Sequence, residues 1–168
     1  MKKSAIILIM LFLTENCFSQ NLNFDKIKFN GLSFYSSKNQ IIEKLGSPKK
    51  EYVPNYECGD FSIEKQGEIY YNLDYENIKF TGNENEKYVI HEINFAIDKS
   101  LILNYENHKL TFATTLNELT EIFGKEIFDQ IGNSLNGSFI ILHPKYDNGI
   151  RIEIKNGKLI SFEYWSPC

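Results

Sequence analysis

Two stretches of this chain repeat one pattern of apolar and polar positions. Residues 32–46 (LSFYSSKNQIIEKLG) return as residues 110–124 (LTFATTLNELTEIFG), at an offset of 78 residues (124 − 46) and without a gap. In each stretch the apolar residues cluster on one face of a short helix, which we predict over residues 38–45 and 116–123. Self-similarity at a fixed offset is typical of one supersecondary unit built twice.

Hydroxyl side chains precede both predicted helices. Ser36 or Ser37 can cap the first helix, and Thr114 or Thr115 the second, by accepting a hydrogen bond from a free backbone N–H group. Glu118 follows Thr115 at the spacing of a capping box. A glycine comes directly after each helix and supplies its C-terminal turn.

The remaining segments alternate between apolar and polar residues and predict strands. In the first half these segments are 24–29, 61–64, 68–75, 78–80 and 88–97, and in the second half they are 138–143, 149–155 and 158–165. Asn156-Gly157 between the last two predicts a tight hairpin, since both residues tolerate positive φ. We therefore predict an α+β fold with two tandem units, residues 20–99 and 100–168, each a short helix packed on a three- to four-stranded antiparallel sheet and together one compact domain.

The N-terminus is typical of a secretory signal peptide. Lys2 and Lys3 precede an apolar run that is too short for a membrane span, and small residues allow cleavage before Gln20. We predict that residues 1–19 are removed and that the chain is exported to the periplasm, the envelope or the medium. The alternatives are an uncut signal anchor and a lipoprotein with Cys17 lipidated, which Glu15 and Asn16 before that cysteine disfavour.

Charge and composition exclude some partners. The chain has a formal net charge of −4 and its single arginine is Arg151, so it lacks the basic patch that binds nucleic acid or anionic lipid. No other run is apolar enough to cross a bilayer. Thirteen Phe, ten Tyr and one Trp indicate aromatic side chains in the core and on the sheet faces.

Cys58 and Cys168 are the cysteines left after cleavage. Export favours a disulfide between them, and two free thiols are the alternative. Glu57 and Asp60 flank Cys58, and their negative charge disfavours a reactive thiolate there.

No pattern of catalytic or metal-binding residues stands out. His91, His108 and His143 are isolated in sequence, outside any metal-ligand spacing, and Glu57, Asp60, Glu64 and Glu68 fit a solvated acidic face better than paired catalytic carboxylates. Phosphate-binding and nucleophile motifs are also missing from the sequence. We therefore predict no catalytic residue, no cofactor and no metal, and hence not an enzyme.

One segment resembles a known family of exported domains. The helix that ends Leu45-Gly46-Ser47-Pro48, followed by aromatic alternation at Ile69-Tyr70-Tyr71-Asn72-Leu73, resembles the outer-membrane assembly lipoproteins of the SmpA/OmlA (BamE) type. Two such units in tandem resemble the β-lactamase-inhibitory proteins, which implies a concave, aromatic-rich sheet surface that grips a protein. The chain departs from these patterns because Lys125-Glu126 follows Gly124, and because one cysteine per unit cannot form a disulfide within each repeat.

We therefore predict a non-catalytic protein-binding module: an inhibitor, an immunity-type protein or an envelope assembly factor. The predicted partner-binding face consists of Tyr70, Tyr71, Tyr75, Phe162, Tyr164 and Trp165. The first alternative is a periplasmic protein that binds a small molecule or peptide in a pocket between helix and sheet. The second is a hydrolase that brings Glu57, Asp60 or His91 together with other polar groups.

Overall fold

Three short helices are described, and the first two form where the apolar faces predict them. In the computed structural model, which describes residues 22–62 and 67–168, the helices are α1 (Lys38–Leu45), α2 (Leu116–Phe123) and α3 (Glu126–Ile131). Ser37 caps α1 and Thr115 caps α2, each within a complete capping box with the residue three positions on. These reciprocal hydrogen bonds explain why helices of only eight residues begin at a defined residue.

Twelve strands are described, most of them short. They are β1 (Ile27–Phe29), β2 (Leu32–Ser33), β3 (Tyr35–Ser36), β4 (Lys50–Tyr52), β5 (Tyr71–Asp74), β6 (Ile78–Gly82), β7 (Tyr88–Asn94), β8 (Leu103–Tyr105), β9 (His108–Leu110), β10 (Gly137–Leu142), β11 (Gly149–Lys155) and β12 (Lys158–Trp165).

These strands form two antiparallel sheets. The small sheet has the order β2-β1-β8-β9, and the large sheet has the order β10-β11-β12-β7-β6-β5-β4, with β3 as an eighth strand that pairs with β7. Each sheet joins the two halves of the chain at one antiparallel pair, β1 with β8 and β7 with β12. The α+β class is thus confirmed.

The helices and one face of the large sheet share a single hydrophobic core. Ile41 of α1, Leu119 of α2 and Ile127 of α3 are buried in the same cluster as Phe80 of β6 and Phe162 of β12. Burial of this kind, rather than helix propensity, stabilises such short helices.

Several predicted strand limits needed correction. Residues Phe24–Lys26 form a 3-10 turn capped by the Asn23 side chain, so that strand is only β1. Residues 59–62 form a turn closed by a hydrogen bond from Ser62 N–H to Gly59 O, and residues 63–64 of that predicted strand lie outside the described part of the chain. β7 ends at Asn94 instead of residue 97, and the Asn94 side chain accepts hydrogen bonds from the Ala96 and Ile97 amides. Ile97 therefore lies outside the strand and is exposed.

The edges of the large sheet are protected in two ways. At β10, the Gln130 side-chain amide donates to Ile140 O and accepts from Ile140 N–H, both at 2.8 Å, and so takes the place of a neighbouring strand. At the opposite edge, β4 carries the charged residues Lys50 and Glu51. Both devices discourage pairing with a further strand.

Candidate binding surface

The large sheet has one face in the core and one face toward solvent. Along β12, Phe162 and Tyr164 are buried, whereas Glu163 and Trp165 are half-buried. Alternate residues of a strand point to opposite faces, so Glu163 and Trp165 share the second face. We call this second face of the large sheet the open face.

Charged residues stand in one row across the open face, which begins with Lys50 on β4 and Asp74 on β5, in register with each other and with Lys79. Four further residues continue the row across the centre of the sheet. Lys79 on β6 is in register with Glu92 on β7, Glu92 with Glu163 on β12, and Glu163 with Arg151 on β11. We call these four residues the charge row. Lys79 Nζ lies 2.5 Å from Glu92 Oε2, and Arg151 Nη1 lies 3.3 Å from Glu163 Oε2. The signs run plus, minus, minus, plus, so two carboxylates are neighbours across the central β7–β12 pair.

The charge row is only partly solvated. The four side chains are 29% (Lys79), 29% (Glu92), 41% (Arg151) and 38% (Glu163) exposed. Burial alone would lower the pKa of Lys79, but the hydrogen bond and charge of Glu92 outweigh it and raise that pKa, so the ammonium stays charged at neutral pH. Like charges directly opposite each other in an antiparallel pair destabilise the sheet. The centre of the open face therefore carries an arrangement that folding alone does not favour.

A loop covers the part of the open face next to the charge row. We call residues 53–62 the strap. The Tyr56 ring stacks on His91 at 5.6 Å between centroids, and its hydroxyl donates to Asn72 Oδ1 at 3.3 Å. Thr81, buried beside them, donates to the same Asn72 oxygen at 2.6 Å. The strap thus closes a polar network on this side of the sheet.

A β-bulge turns His91 toward the strap. Lys79 is in register with Glu92 and Phe80 with Ile90, so His91 is an extra residue on β7. Bulges of this kind change the direction of one side chain. Burial lowers the pKa of His91 to about 4, against the opposing effect of the Glu92 charge, so the imidazole is neutral at pH 7.

The strap is fastened to the end of β12. A disulfide joins Cys58 to Cys168 with a Cα–Cα distance of 4.9 Å, linking the pair of cysteines proposed from the sequence. The Tyr164 hydroxyl donates to Asp60 Oδ2 at 2.6 Å, and Asn148 Nδ2 donates to the same oxygen at 3.1 Å. Burial and the Asp60 carboxylate both raise the pKa of Tyr164, so this hydroxyl remains a donor.

The six aromatic residues predicted as a partner-binding face do not lie on one surface. Phe162 and Tyr164 share the core-facing phase of β12, and Tyr70 is also buried. Tyr71 and Tyr75 pack against the hydrophobic core. Trp165 is the member of this set that lies on the open face. The predicted face is corrected because strand alternation places most of these rings on the core side of the sheet.

The candidate acid–base residues lie in separate environments and do not form one site. Glu57 is exposed on the strap, Asp60 accepts from Tyr164 and Asn148, and His91 lies against Tyr56 and Phe61. Glu64 lies outside the described residues, and Glu68 accepts a hydrogen bond from Asn83. Among residues 22–62 and 67–168, no group of three or more His, Cys, Asp or Glu side chains is placed to hold a metal ion.

Sequence reasoning missed the charge row. Lys79, Glu92, Arg151 and Glu163 are far apart in sequence, and their common row depends on the register of three strand pairs and on the His91 bulge. The last hairpin gives only part of a local signal: Asn156-Gly157 sets Lys155 opposite Lys158, but the extra residue Ile160 on β12 is also needed to bring Arg151 opposite Glu163. The positive φ values of Asn156 (53°) and Gly157 (70°) match the predicted turn.

No protein-family model, curated protein or solved structure matches this chain. The similarity to the SmpA/OmlA and β-lactamase-inhibitory architectures therefore stays a prediction from the sequence. None of the described helices has the length and apolar character needed to cross a membrane.

Proposed function

We propose that this chain is an exported, non-catalytic protein-binding module that docks a partner protein against the open face of its large sheet. The observation that carries the proposal is the charge row, in which two adjacent carboxylates stand at the centre of a partly buried surface. The signal peptide predicted from the sequence over residues 1–19, which lie outside the described part of the chain, and the disulfide between Cys58 and Cys168 support a location outside the reducing cytoplasm.

Duplication supports this use of the sheet. We infer that residues 20–99 and 100–168 are two copies of one unit, because each supplies a hairpin, a capped helix and three sequential antiparallel strands. The β7–β12 pair joins the copies, so the charge row takes Lys79 and Glu92 from the first and Arg151 and Glu163 from the second. A surface that neither unit has alone is the expected product of joining them.

The charge row indicates the chemistry of the partner. Glu92 and Glu163 each have one cation on the outer side and a like charge on the inner side. A lysine or arginine placed between them would bond both carboxylates and relieve their repulsion. The net charge of −4 favours approach of a basic surface as well. We therefore propose a partner that presents a basic side chain to the centre of the charge row, with Trp165 as an aromatic contact beside it.

We propose the open face, rather than an edge strand of the large sheet, as the docking site. Gln130 occupies the backbone groups of Ile140 on β10, and Lys50 and Glu51 make β4 a poor template for strand addition.

Affinity capture with matched baits tests this function. Residues 20–168 are used as bait against envelope and secreted fractions of the source cell, beside the double variant Glu92→Gln/Glu163→Gln and the control Glu43→Gln, which changes an exposed carboxylate on α1. We expect one protein in near-stoichiometric amount on the wild-type and control baits and its loss from the double variant. An empty wild-type bait, or equal recovery on all three, contradicts the proposal.

A further inference from the structure

A separate cavity lies at the end of the molecule that holds the β10–β11 connection. It has a volume of about 450 Å³, within the range of small-molecule sites. It is lined by Asn23, Phe24, Asp25, Tyr35, His143, Pro144, Lys145 and Tyr146. None of these residues belongs to the charge row, so an inference about this cavity does not depend on protein docking at the open face.

Aromatic rings form the walls of the cavity. The rings of Phe24, His143 and Tyr146 stack in series, with centroid distances of 5.2 Å and 4.7 Å and interplanar angles of 12° and 25°. The Tyr35 ring stands edge-on to Phe24, at 86° and 6.2 Å. Tyr35 is 39% and Tyr146 63% exposed, so both rings present apolar area to the cavity. Phe24 and the stacked imidazole hold this wall in place.

The imidazole of His143 is a hydrogen-bond donor with a defined tautomer. The Lys145 backbone N–H donates to Nδ1 at 3.2 Å, so in the neutral ring the proton is on Nε2. Burial lowers the pKa of His143 and the nearby Lys145 charge lowers it further, against the opposing effect of the Asp25 charge. The ring therefore carries no charge at pH 7 and offers one N–H group.

The charged groups of the lining cancel. Asp25 supplies a carboxylate and Lys145 an ammonium, while Asn23 and the two tyrosine hydroxyls are neutral. A strongly charged ligand would gain from one of these groups and lose from the other. The lining instead combines flat apolar rings with separate donors and acceptors, which suits a flat, uncharged ligand rich in hydroxyl groups.

We propose that this cavity binds a neutral carbohydrate, of the size of one or two pyranose units. The C–H face of a pyranose stacks on an aromatic ring, as Tyr146 and Tyr35 would allow. Its hydroxyl groups donate to the Asp25 carboxylate and accept from His143 Nε2–H and Lys145. No single contact of this kind is strong, so a dissociation constant in the millimolar range is expected, as for other binding free energies of about −4 kcal/mol.

NMR titration of residues 20–168 tests the site. The probes are cellotriose, xylotriose and chitotriose, each added to about 20 mM, roughly twenty times the expected dissociation constant. We expect at least one of them to shift the His143 ring and Lys145 amide signals saturably, while the ring signals of His91, which does not line the cavity, stay unchanged. The absence of any such shift with all three probes overturns the proposal.

Two variants show whether the cavity itself is responsible. Tyr146→Ala removes an exposed ring that the fold does not need, and affinity should fall at least about tenfold. His143→Phe keeps the aromatic stack and deletes the Nε2–H donor, and affinity should fall about fivefold, as for one hydrogen bond. Tyr52→Ala, which changes a tyrosine on β4 that is 39% exposed and lies outside the cavity lining, should leave binding intact. Unchanged affinity in Tyr146→Ala, or an equal loss of affinity in Tyr52→Ala, overturns the proposal.

The test of the cavity is independent of the test of protein docking. If the charge-row variant Glu92→Gln/Glu163→Gln loses protein capture, we expect its carbohydrate binding to be unaffected, so either proposal can fail without the other.

Discussion

The two faces of the large sheet show how neighbouring residues of one strand serve different ends. On the core face, Phe162 is buried between Ile93 and Ile152, the residues in register with it on β7 and β11. Glu163, the next residue of β12, lies on the open face between Glu92 and Arg151. The burial of Phe162 stabilises the fold, whereas Glu163 has the like charge of Glu92 beside it. The open face therefore carries charges that are not arranged for stability alone, which is the pattern expected where a surface is kept for binding.

The largest expected effect is on the core face. Phe162→Ala should lower the free energy of unfolding by about 4 kcal/mol, because it removes a buried ring and leaves a cavity between two packed strands. Glu163→Ala at the next position is the matched control and should cost less than about 1 kcal/mol. Urea denaturation of both variants measures the difference. An equal loss of unfolding free energy in both variants would contradict the distinction between the core face and the open face.

The next effect concerns the strap. Cys58→Ser/Cys168→Ser opens a loop that spans 110 residues of sequence and should cost about 3 kcal/mol, mainly because the unfolded chain is less constrained. The strap should also loosen over the open face. We then expect the pKa of His91 to rise from about 4 toward its ordinary value, measured by NMR titration of the imidazole. An unchanged His91 pKa would show that the strap stays in place without the disulfide.

Acid should destabilise the protein through His91. Its folded pKa is about 4 and its unfolded pKa is about 6.5. Between these values the unfolded chain binds a proton that the native state excludes, so stability falls as the pH drops from 6.5 to about 4.

This loss should amount to roughly 2 kcal/mol between pH 7 and pH 4.5. His91→Gln removes the titration of this histidine and is the control for all other titrating groups. These groups include Asp98 and Glu118, whose pKa values are lowered by hydrogen bonds from Ser100 and from Thr115, respectively. Urea denaturation at both pH values gives the comparison. Identical pH dependence in wild type and His91→Gln would rule out this role for the histidine.

The smallest expected effect on stability is at the charge row. Glu92→Gln/Glu163→Gln loses two partly exposed ion pairs and relieves one repulsion, so the free energy of unfolding should change by less than about 1 kcal/mol in either direction. Thermal denaturation in low and high salt measures it. A large loss of stability would mean that the charge row serves folding, and the comparison would then no longer indicate a binding surface.

Local signals predicted the helices well. The limits of α1 and α2 agree with the predicted ranges because capping side chains and terminal glycines act within a few residues of sequence. The Asn156-Gly157 hairpin was predicted for the same reason. It was harder to predict which face of the sheet each strand residue occupies, because one extra residue reverses the faces of all residues after it. Ile160 on β12 and His91 on β7 are both extra residues at register shifts.

The candidate sites depend on contacts that sequence does not reveal. The aromatic content suggested a ring-lined sheet surface, but Tyr71 and Tyr75 pack against the core and Tyr70 is buried. His143 was predicted to be a strand-end residue, and the stack that joins it to Phe24 and Tyr146 brings together segments more than a hundred residues apart. Long-range register and loop closure decided both sites.

The most direct test of the account compares two neighbouring residues of β12 in binding and in stability. The captured partner is purified, and its affinity is measured for Phe162→Leu and Glu163→Gln by calorimetry, beside the free energy of unfolding of each variant. We predict that Phe162→Leu loses about 1 kcal/mol of stability and keeps its affinity, whereas Glu163→Gln keeps its stability and loses at least about tenfold in affinity. Unchanged affinity in Glu163→Gln would contradict the assignment of the open face as the binding surface.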